Sequence, residues 1–467
     1  MSAKSPSSQS APNAIASGHP PPEDSQSALP RIIPRDQHPI SRAAISKHAL
    51  NIIYALNRAG YEAYLVGGSV RDLLLGQQPK DFDVATNAHP EQVKELFRRA
   101  RIVGRRFKIV HVRFGREIIE VTTFRAAHDS GASGAQADQQ GMLLRDNVYG
   151  NLKDDALRRD FSVNALYYSV DGFTLIDYAN GLDDLEQRVL RVIGDPETRY
   201  IEDPVRMLRA VRFAAKLDFT IHPASAAPLA GLASMLGQVA PARLFDELLK
   251  VFMNGHAEAA FTLLEQHRML GALLPAEPDE HTAADSAQQQ AWTVVRLALA
   301  NTDSRVREDK PVTPGFLFAA LLWPALCEQL AAAHDLPRLP ALQRASNETL
   351  AAQQALTAIP RRFSTMIREI WTLQQRLENA RGRRARAVLL NPRFRAAYDF
   401  LLLRNEAGEA LDERCAFWTE LQREHPVEAR ERAERPAPTR RRRRRPRRRR
   451  SSSSADSQAQ QPGQTRD

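Results

Sequence analysis

The sequence predicts an α+β fold in which a small α/β head precedes a larger, mainly α-helical body. Short apolar strands alternate with helices up to about residue 180, helical periodicity dominates from Asp154 to Glu424, and low-complexity segments flank both. We expect a disordered arm at 1–36, the head at 37–180, a helical neck at 181–278, a helical body at 279–424 and a disordered basic tail at 425–467. The 467 residues suffice for several such units without disulfide or metal support.

The basic charge is concentrated in the tail. The chain has 65 Lys and Arg against 55 Asp and Glu, a formal net charge of +10. Ten arginines lie in two runs, one from Arg440 to Arg445 and the other from Arg447 to Arg450. The positive and negative charges of the rest of the chain are therefore balanced. Such runs repel themselves, stay unfolded and neutralise phosphates with release of counterions. We expect the tail to bind RNA or DNA; a merely solvated tail is the alternative.

Cysteine use and hydropathy indicate the compartment. Cys327 and Cys415 lie outside any CxxC or Cys/His cluster, which argues against a disulfide framework and a zinc site. No basic-then-apolar leader opens the sequence, and the arm is rich in Ser, Pro, Ala and Gln. The most apolar stretch, 316–326, is too short for a span of ~20 residues and contains Pro324, so it predicts a buried core helix. We expect a cytoplasmic protein with no integral membrane segment.

The head elements follow from capping and turn signals. Ser41 is expected to cap a first helix that Gly60 ends. A strand at 61–66 then leads through a glycine turn into a short helix at 70–75. The remaining predicted elements are a strand at 81–85, a helix at 90–100, strands at 108–114 and 117–124 joined by Gly115-Arg116, and a hairpin near 167–177.

Two acidic residues stand two positions apart in the second predicted strand. Asp81 and Asp83 would project on one side of that strand, while Phe82 points into the core. Mg²⁺ prefers one or two carboxylates together with phosphate oxygens and water. The pair is therefore a candidate metal site, although on its own a DxD is more often a solvated strand end.

A glycine turn precedes the acidic pair. Gly67 and Gly68 let backbone N–H groups approach a ligand, Ser69 adds a hydroxyl, and a helix begins there with its positive end. By itself such a turn is more often only a strand-to-helix corner. Together, the turn and the two carboxylates predict a site for one metal–nucleotide complex.

Four segments resemble the motifs of the family that joins bacterial poly(A) polymerases and tRNA CCA-adding enzymes. They are residues 65–72 (LVGGSVRD), 79–83 (PKDFD), 158–164 (RRDFSVN) and 202–206 (EDPVR). The resemblance extends from about residue 31 to about residue 400. It implies a catalytic nucleotidyltransferase head at 37–180, a nucleotide-recognition region in the neck at 181–278 and an RNA-binding body at 279–424.

The resemblance also implies roles for individual residues. Asp81 and Asp83 would bind Mg²⁺, for which Mn²⁺ can substitute. The third carboxylate is expected to be Asp160. Glu120 is the close alternative, because its predicted strand could lie beside the strand of Asp81 and Asp83. For Asp160 itself, a salt bridge to Arg158 or Arg159 is the structural alternative. Further phosphate or ribose contacts are expected from Arg71, Lys80, Arg158, Arg159 and Asn164. Asp203 and Arg206 would read the base edge, the alternative being a helix cap with a solvated stripe of Arg206, Arg209 and Arg212.

The implied reaction is template-independent addition of AMP from ATP to RNA 3′ ends, which promotes RNA decay, so RNA-decay proteins are expected as partners. Addition of CCA to tRNA is the alternative within the family, and a non-catalytic RNA-binding protein is the alternative outside it. Residues 104–107 (GRRF) resemble a segment of the poly(A) polymerases. This segment, the arm and the tail favour poly(A) addition.

Overall fold

The computed structural model of the protein describes residues 29–104, 108–126, 135–137, 143–146, 148–278 and 286–426. Most of the predicted arm, the arginines of the 104–107 segment and the arginine runs of the tail lie outside these residues. In chain order the strands are β1 (Arg31–Ile33), β2 (Ala63–Val66), β3 (Asp83–Thr86), β4 (Ala100–Val103), β5 (Ile109–Phe114), β6 (Glu117–Thr123), β7 (Ala135–Ala137), β8 (Leu143–Asp146), β9 (Leu166–Tyr168), β10 (Leu175–Asp177), β11 (Val189–Leu190) and β12 (Thr220–Ile221).

The described helices follow in three groups. Those of the head are α1 (Lys47–Arg58), α2 (Gly68–Leu74), α3 (Pro90–Leu96) and α4 (Leu152–Leu157). Those of the neck are α5 (Gly181–Glu186), α6 (Pro196–Glu202), α7 (Val205–Leu217), α8 (Pro223–Ala226), α9 (Leu229–Leu232), α10 (Pro241–Phe252) and α11 (Ala257–Gln266). Those of the body are α12 (Ser286–Arg307), α13 (Pro314–Leu321), α14 (Trp323–Ala332), α15 (Arg338–Leu356), α16 (Arg361–Asn379), α17 (Gly382–Leu389), α18 (Phe394–Glu406) and α19 (Asp412–Glu424).

A mixed sheet organises the head, as predicted. Its strand order is β1-β10-β9-β2-β3-β6-β5-β4, and β3 with β6 is its parallel pair. The pairing places Asp83 opposite Val66 on β2 and opposite Glu120 on β6. Apolar side chains of α1 and of the central strands alternate inward and form the head core, for example Ile52, Leu65 and Val84.

Several predicted boundaries in the head were wrong. Arg31–Ile33 pairs with β10, so the ordered head begins inside the predicted 1–36 arm. Ser46, rather than Ser41, caps α1, and Ser41 caps a separate 3₁₀ turn. Helix α3 ends at Leu96 because the chain turns there into edge strand β4, which the periodicity did not reveal.

The neck and body share one hydrophobic core. A single cluster of buried side chains extends from Phe161 through Phe245 and Phe318 to Phe400, across the predicted border at 278. A smaller second cluster is built by the end of α16 with α17, α18 and α19, around the buried Trp418. The helical body was correctly predicted, but its core does not divide where the sequence composition changes.

The apolar stretch at 316–326 lies in this shared core as two helices, α13 and α14, rather than one. Leu317, Phe318 and Leu326 are fully buried. Within the described ranges, no single helix has the length and composition to cross a membrane; α13 and α14 meet that criterion only when joined, across a bend of 49°.

Candidate active site

The carboxylates of the candidate site come from two neighbouring strands. Asp83 is the first residue of β3 and lies in parallel register with Glu120 on β6. Asp81 precedes the strand and is exposed, whereas Phe82 between them is buried in the head core, as predicted. On the far side of Glu120, His111 Nε2 lies 3.2 Å from Glu120 Oε1. Asp81 and Asp83 thus lie at the N-terminal end of β3, with Glu120 beside Asp83 on β6.

The glycine turn lies beside the carboxylate of Asp83. Gly67 has φ +77°, which favours glycine, and a Cβ built there would lie 3.6 Å from Arg159 Nη1 and 4.0 Å from Asp83 Oδ2. Helix α2 after it has only seven residues. The Ser69 hydroxyl is buried and donates to the Val66 carbonyl oxygen at 3.2 Å, so it holds the turn instead of facing a ligand.

Negative charge is concentrated at Asp83. Burial, followed by the charge of Glu120, raises the pKa of the Asp83 carboxyl to about 6, and Arg159 offsets part of this rise. Among the described residues, no group of three or more His, Cys, Asp or Glu is arranged to hold a metal ion by itself. Mg²⁺ needs only one or two carboxylates when substrate phosphates and water complete its shell, so the donor set fits a metal brought with a nucleotide.

Arg159 is held rigidly toward the glycine turn. Its Nε donates to the Tyr167 hydroxyl at 2.8 Å, and its Nη2 donates to Asp155 Oδ2 at 2.9 Å. These bonds leave Nη1 as the nitrogen nearest Gly67. Asp155 is buried and was missed by the sequence reasoning, although its place four residues before Arg159 on one helical turn could have indicated it.

Arg158 belongs to a group of cations between the head and the neck. Burial, followed by the charges of Arg125 and Arg199, lowers the pKa of Arg158 to about 9. Arg199 on α6 donates to the carbonyl oxygens of Arg158 and Arg159, the latter at 2.9 Å. Gathered cations of this kind attract an anionic ligand such as a triphosphate.

The carboxylate of Asp160 is hydrogen-bonded to Arg209 of the neck helix α7. Its Oδ2 accepts hydrogen bonds from Nε of Arg209, at 2.8 Å, and from Nη2 of the same guanidinium. Its Oδ1 accepts from the Phe161 backbone N–H at 2.9 Å and from Asn164 Nδ2 at 3.4 Å. Burial would raise the pKa of Asp160, but Arg209 holds it at about 2. Asp160 therefore forms a salt bridge, as the alternative prediction had it, but its partner is Arg209 rather than Arg158 or Arg159.

The guanidinium of Arg71 is also hydrogen-bonded within the protein. Its side chain is 2% exposed, and it donates to Asn164 Oδ1 at 2.5 Å and to Asp72 Oδ1 at 2.9 Å. Arg71 and Asn164 therefore join α2 to the segment after Asp160, and a contact of Arg71 with a phosphate or ribose stays a prediction. Lys80 is exposed next to Asp81.

The EDPVR segment lies at the joint between α6 and α7. Asp203 accepts two hydrogen bonds from Arg243 of α10, both at 2.8 Å, whereas Arg206 Nη1 donates to Glu202 Oε2 at 3.1 Å. Asp203 was expected to act together with Arg206, and its contact with Arg243, 40 residues away in the chain, was not predicted. Pro204, rather than Asp203, occupies the N-cap position of α7.

Family models match three parts of the chain. The Poly A polymerase head domain matches residues 63–191, the probable RNA and SrmB-binding site of polymerase A matches 218–277, and the polymerase A arginine-rich C-terminus matches 334–451. Among solved structures, a tRNA-processing enzyme in its apo form 2 has a TM-score of 0.56 at 22% identity, covering 82% of this chain and 99% of its own. A tRNA nucleotidyltransferase complexed with a primer tRNA and an incoming ATP analog has a TM-score of 0.55 at 24% identity, covering 80% and 99%. These structures show the fold.

Relatives in sequence are more similar. Poly(A) polymerase I of Salmonella typhimurium is 48% identical over 422 residues, which cover 88% of this chain and 90% of the relative. Poly(A) polymerase I of Haemophilus influenzae is 46% identical over 84% of this chain and 88% of its own length. A CCA-adding enzyme of Lactobacillus johnsonii is 38% identical but covers only 46% of this chain and 52% of its own. Because these poly(A) polymerases are 46% and 48% identical over more than four-fifths of this chain, the chain belongs to the poly(A) polymerase I family of nucleotidyltransferases.

Proposed function

We propose that this chain adds AMP from ATP to RNA 3′ ends without a template, using Asp81, Asp83 and Glu120 as its carboxylates. The observation that carries this proposal is the register pair of Asp83 and Glu120 beside the Gly67 turn. Asp160 was the expected third carboxylate, but its oxygens are bonded to Arg209, Phe161 and Asn164. Glu120 takes that role, and Asp160 positions the neck.

The carboxylates of Asp81 and Asp83 would hold Mg²⁺, or Mn²⁺ in its place, and the bound metal would neutralise charge at the α-phosphate and acidify the attacking 3′-hydroxyl. The protein supplies the rest by positioning. The backbone of the Gly67 turn approaches the phosphates, while Arg159, fixed by Asp155 and Tyr167, donates to them. The 3′-hydroxyl oxygen attacks the α-phosphorus, and pyrophosphate leaves.

Base selection belongs to the neck. Adenine offers an N–H donor and a nitrogen acceptor side by side, which a carboxylate and a guanidinium complement. Asp203 would accept from the amino group and Arg206 would donate to the ring nitrogen. Arg243 and Glu202 hold these two side chains in place, so selection depends on a rigid pair.

Tailing assays test the reaction. Unstructured RNAs that end in each of the four bases are incubated with Mg²⁺ and one nucleoside triphosphate at a time, beside a tRNA that lacks its terminal CCA. Long adenosine tails on every RNA are expected from ATP alone, with loss of activity in EDTA. Incorporation of CTP restricted to the tRNA would instead assign CCA addition, and no incorporation would assign a binding protein.

The expected partners follow from the implied reaction, and the expected location follows from the cysteine use and hydropathy of the sequence. RNA-decay proteins and a cytoplasmic location stay predictions, which affinity capture from growing cells and fractionation would check.

A further inference from the structure

One face of α16 carries a regular row of cationic, hydroxyl and amide side chains. We call this row the basic stripe; it consists of Arg361, Thr365, Arg368, Thr372, Arg376 and Asn379, of which Thr372 is half-buried and the others are exposed. The members recur every three or four residues, so they lie above one another on the helix surface. The opposite face, with Ile367, Ile370 and Trp371, packs into the core. A helix of 19 residues makes the stripe ~28 Å long.

The charge of the basic stripe is not neutralised by the protein. Within the described part of the chain, the guanidinium groups of Arg361, Arg368 and Arg376 make no ion pair or hydrogen bond. The nearby carboxylates are taken by other cations: Glu369 by Arg393 at 2.8 Å, and Glu378 by Arg404 at 2.8 Å. The stripe thus presents three free positive charges to solvent.

The basic stripe extends from a contact with the neck to a contact with the last helix, α19. At its N-terminal end, the ring of Phe363 lies 6.0 Å from that of Phe245, two residues beyond the Arg243 that holds Asp203. At its other end, Trp418 of α19 donates to the Leu377 carbonyl oxygen at 2.9 Å. The chain continues from α19 toward the arginine runs.

We propose that the basic stripe binds the sugar–phosphate backbone of a single RNA strand upstream of the 3′ end. This proposal rests on the proposed function, because RNA is then the polyanion that the enzyme must hold. Arginine, threonine and asparagine side chains are ordinary donors to phosphate and sugar. The stripe exposes no large apolar side chain, as the centre of a protein–protein interface would. It lies outside the 218–277 match, and it adds a second contact along the strand.

A charge-matched pair of triple variants tests the proposal. The first combines Arg361→Gln, Arg368→Gln and Arg376→Gln. The control combines Arg344→Gln, Arg395→Gln and Arg423→Gln, which removes three equally exposed arginines that are each paired with a carboxylate. Dissociation constants are measured by anisotropy without ATP, for an unstructured RNA of ~30 nucleotides, at several salt concentrations. Thermal unfolding confirms that both variants fold.

The stripe variant is expected to bind RNA about 10–100-fold more weakly at low salt, with a log–log salt slope smaller by about 2, since each single-strand phosphate contact contributes about 0.7. Its KM for the ~30-nucleotide RNA should rise in the same proportion, while kcat and the KM for ATP stay unchanged, and a primer of ~6 nucleotides should be extended normally.

Three results would overturn the proposal. They are an equal loss of RNA binding in the control, an unchanged salt slope in the stripe variant, or, when the acidic polypeptide polyglutamate is titrated in place of RNA, weakened binding of polyglutamate without weakened binding of RNA. Because binding is measured without ATP, these results are distinguishable from a failure of the wild-type protein to add adenosine, which would contradict the proposed function instead.

Discussion

The carboxylate of Asp160 and the guanidinium of Arg209 form a two-point ion pair that connects the head to helix α7 of the neck. Asp160 Oδ2 accepts both hydrogen bonds of this pair, whereas Glu120 lies beside Asp83 on the adjacent strand. The two candidate third carboxylates therefore have different roles, and substitution should separate them.

We expect Glu120→Gln to lower kcat by about 10²–10³-fold, with little effect on stability, because the metal that would stabilise charge in the transition state would lose a carboxylate ligand. Asp160→Asn should instead lower the free energy of unfolding by about 2 kcal/mol, since it leaves Arg209 half-buried without its partner. Tailing kinetics across a Mg²⁺ titration and urea unfolding are the measurements. A Mg²⁺ requirement that shifts in Asp160→Asn but not in Glu120→Gln would reverse the assignment.

Removing the Asp83 charge should stabilise the metal-free protein. The pKa of Asp83 is raised to about 6 in the folded chain, above its ordinary value of ~3.9, so its ionisation opposes folding as the pH rises from 4 to 6 and remains unfavourable above 6. In EDTA at pH 8, Asp83→Asn should gain about 1–2 kcal/mol in urea unfolding, and at pH 4 almost nothing. The exposed Asp81→Asn is the control and should change stability little. An equal gain at both pH values would contradict the electrostatic cause.

Gly67 and Gly76 offer a matched comparison of strain and site. Both have positive φ, +77° and +69°, but only Gly67 faces Arg159 and Asp83, while a Cβ at Gly76 meets nothing within 4 Å. Gly67→Ala and Gly76→Ala should each cost about 1 kcal/mol of stability through the left-handed backbone. Only Gly67→Ala should also lower kcat/KM for ATP, by about 10-fold or more, because its methyl group fills the space for a phosphate. Equal activity of the two variants would argue against the phosphate site.

Arg243 should control base selection through Asp203. Arg243→Lys keeps the positive charge but cannot donate the two parallel hydrogen bonds, so it should hold the Asp203 carboxylate less firmly in place. We expect the preference for ATP over CTP to fall about 10-fold, with the tailing rate from ATP reduced less. Competition between labelled ATP and CTP is the measurement. Arg296→Lys, which alters the contact of one guanidinium nitrogen, Nη2, with both carboxylate oxygens of Glu265 in the body, should leave selectivity unchanged.

Local periodicity predicted the elements well where a single segment decides its own structure. The strands at β5 and β6, the hairpin of β9 and β10 and the end of α19 at Glu424 lie close to their predicted bounds. Strand β1 was missed because its stability comes from pairing with β10, about 145 residues later, and not from its own sequence. The neck and body were likewise separated by composition, whereas their side chains pack into one core.

The sequence by itself determined the acidic pair at Asp81 and Asp83, the glycine turn and the family. These are short-range features, in which spacing along one strand or one turn sets the geometry. Only the tertiary structure decided which partner each charged group takes: Glu120 beside Asp83, Arg209 on Asp160 and Arg243 on Asp203. Those partners lie about 40–50 residues apart, and packing of the whole chain brings them together, so no local pattern records them.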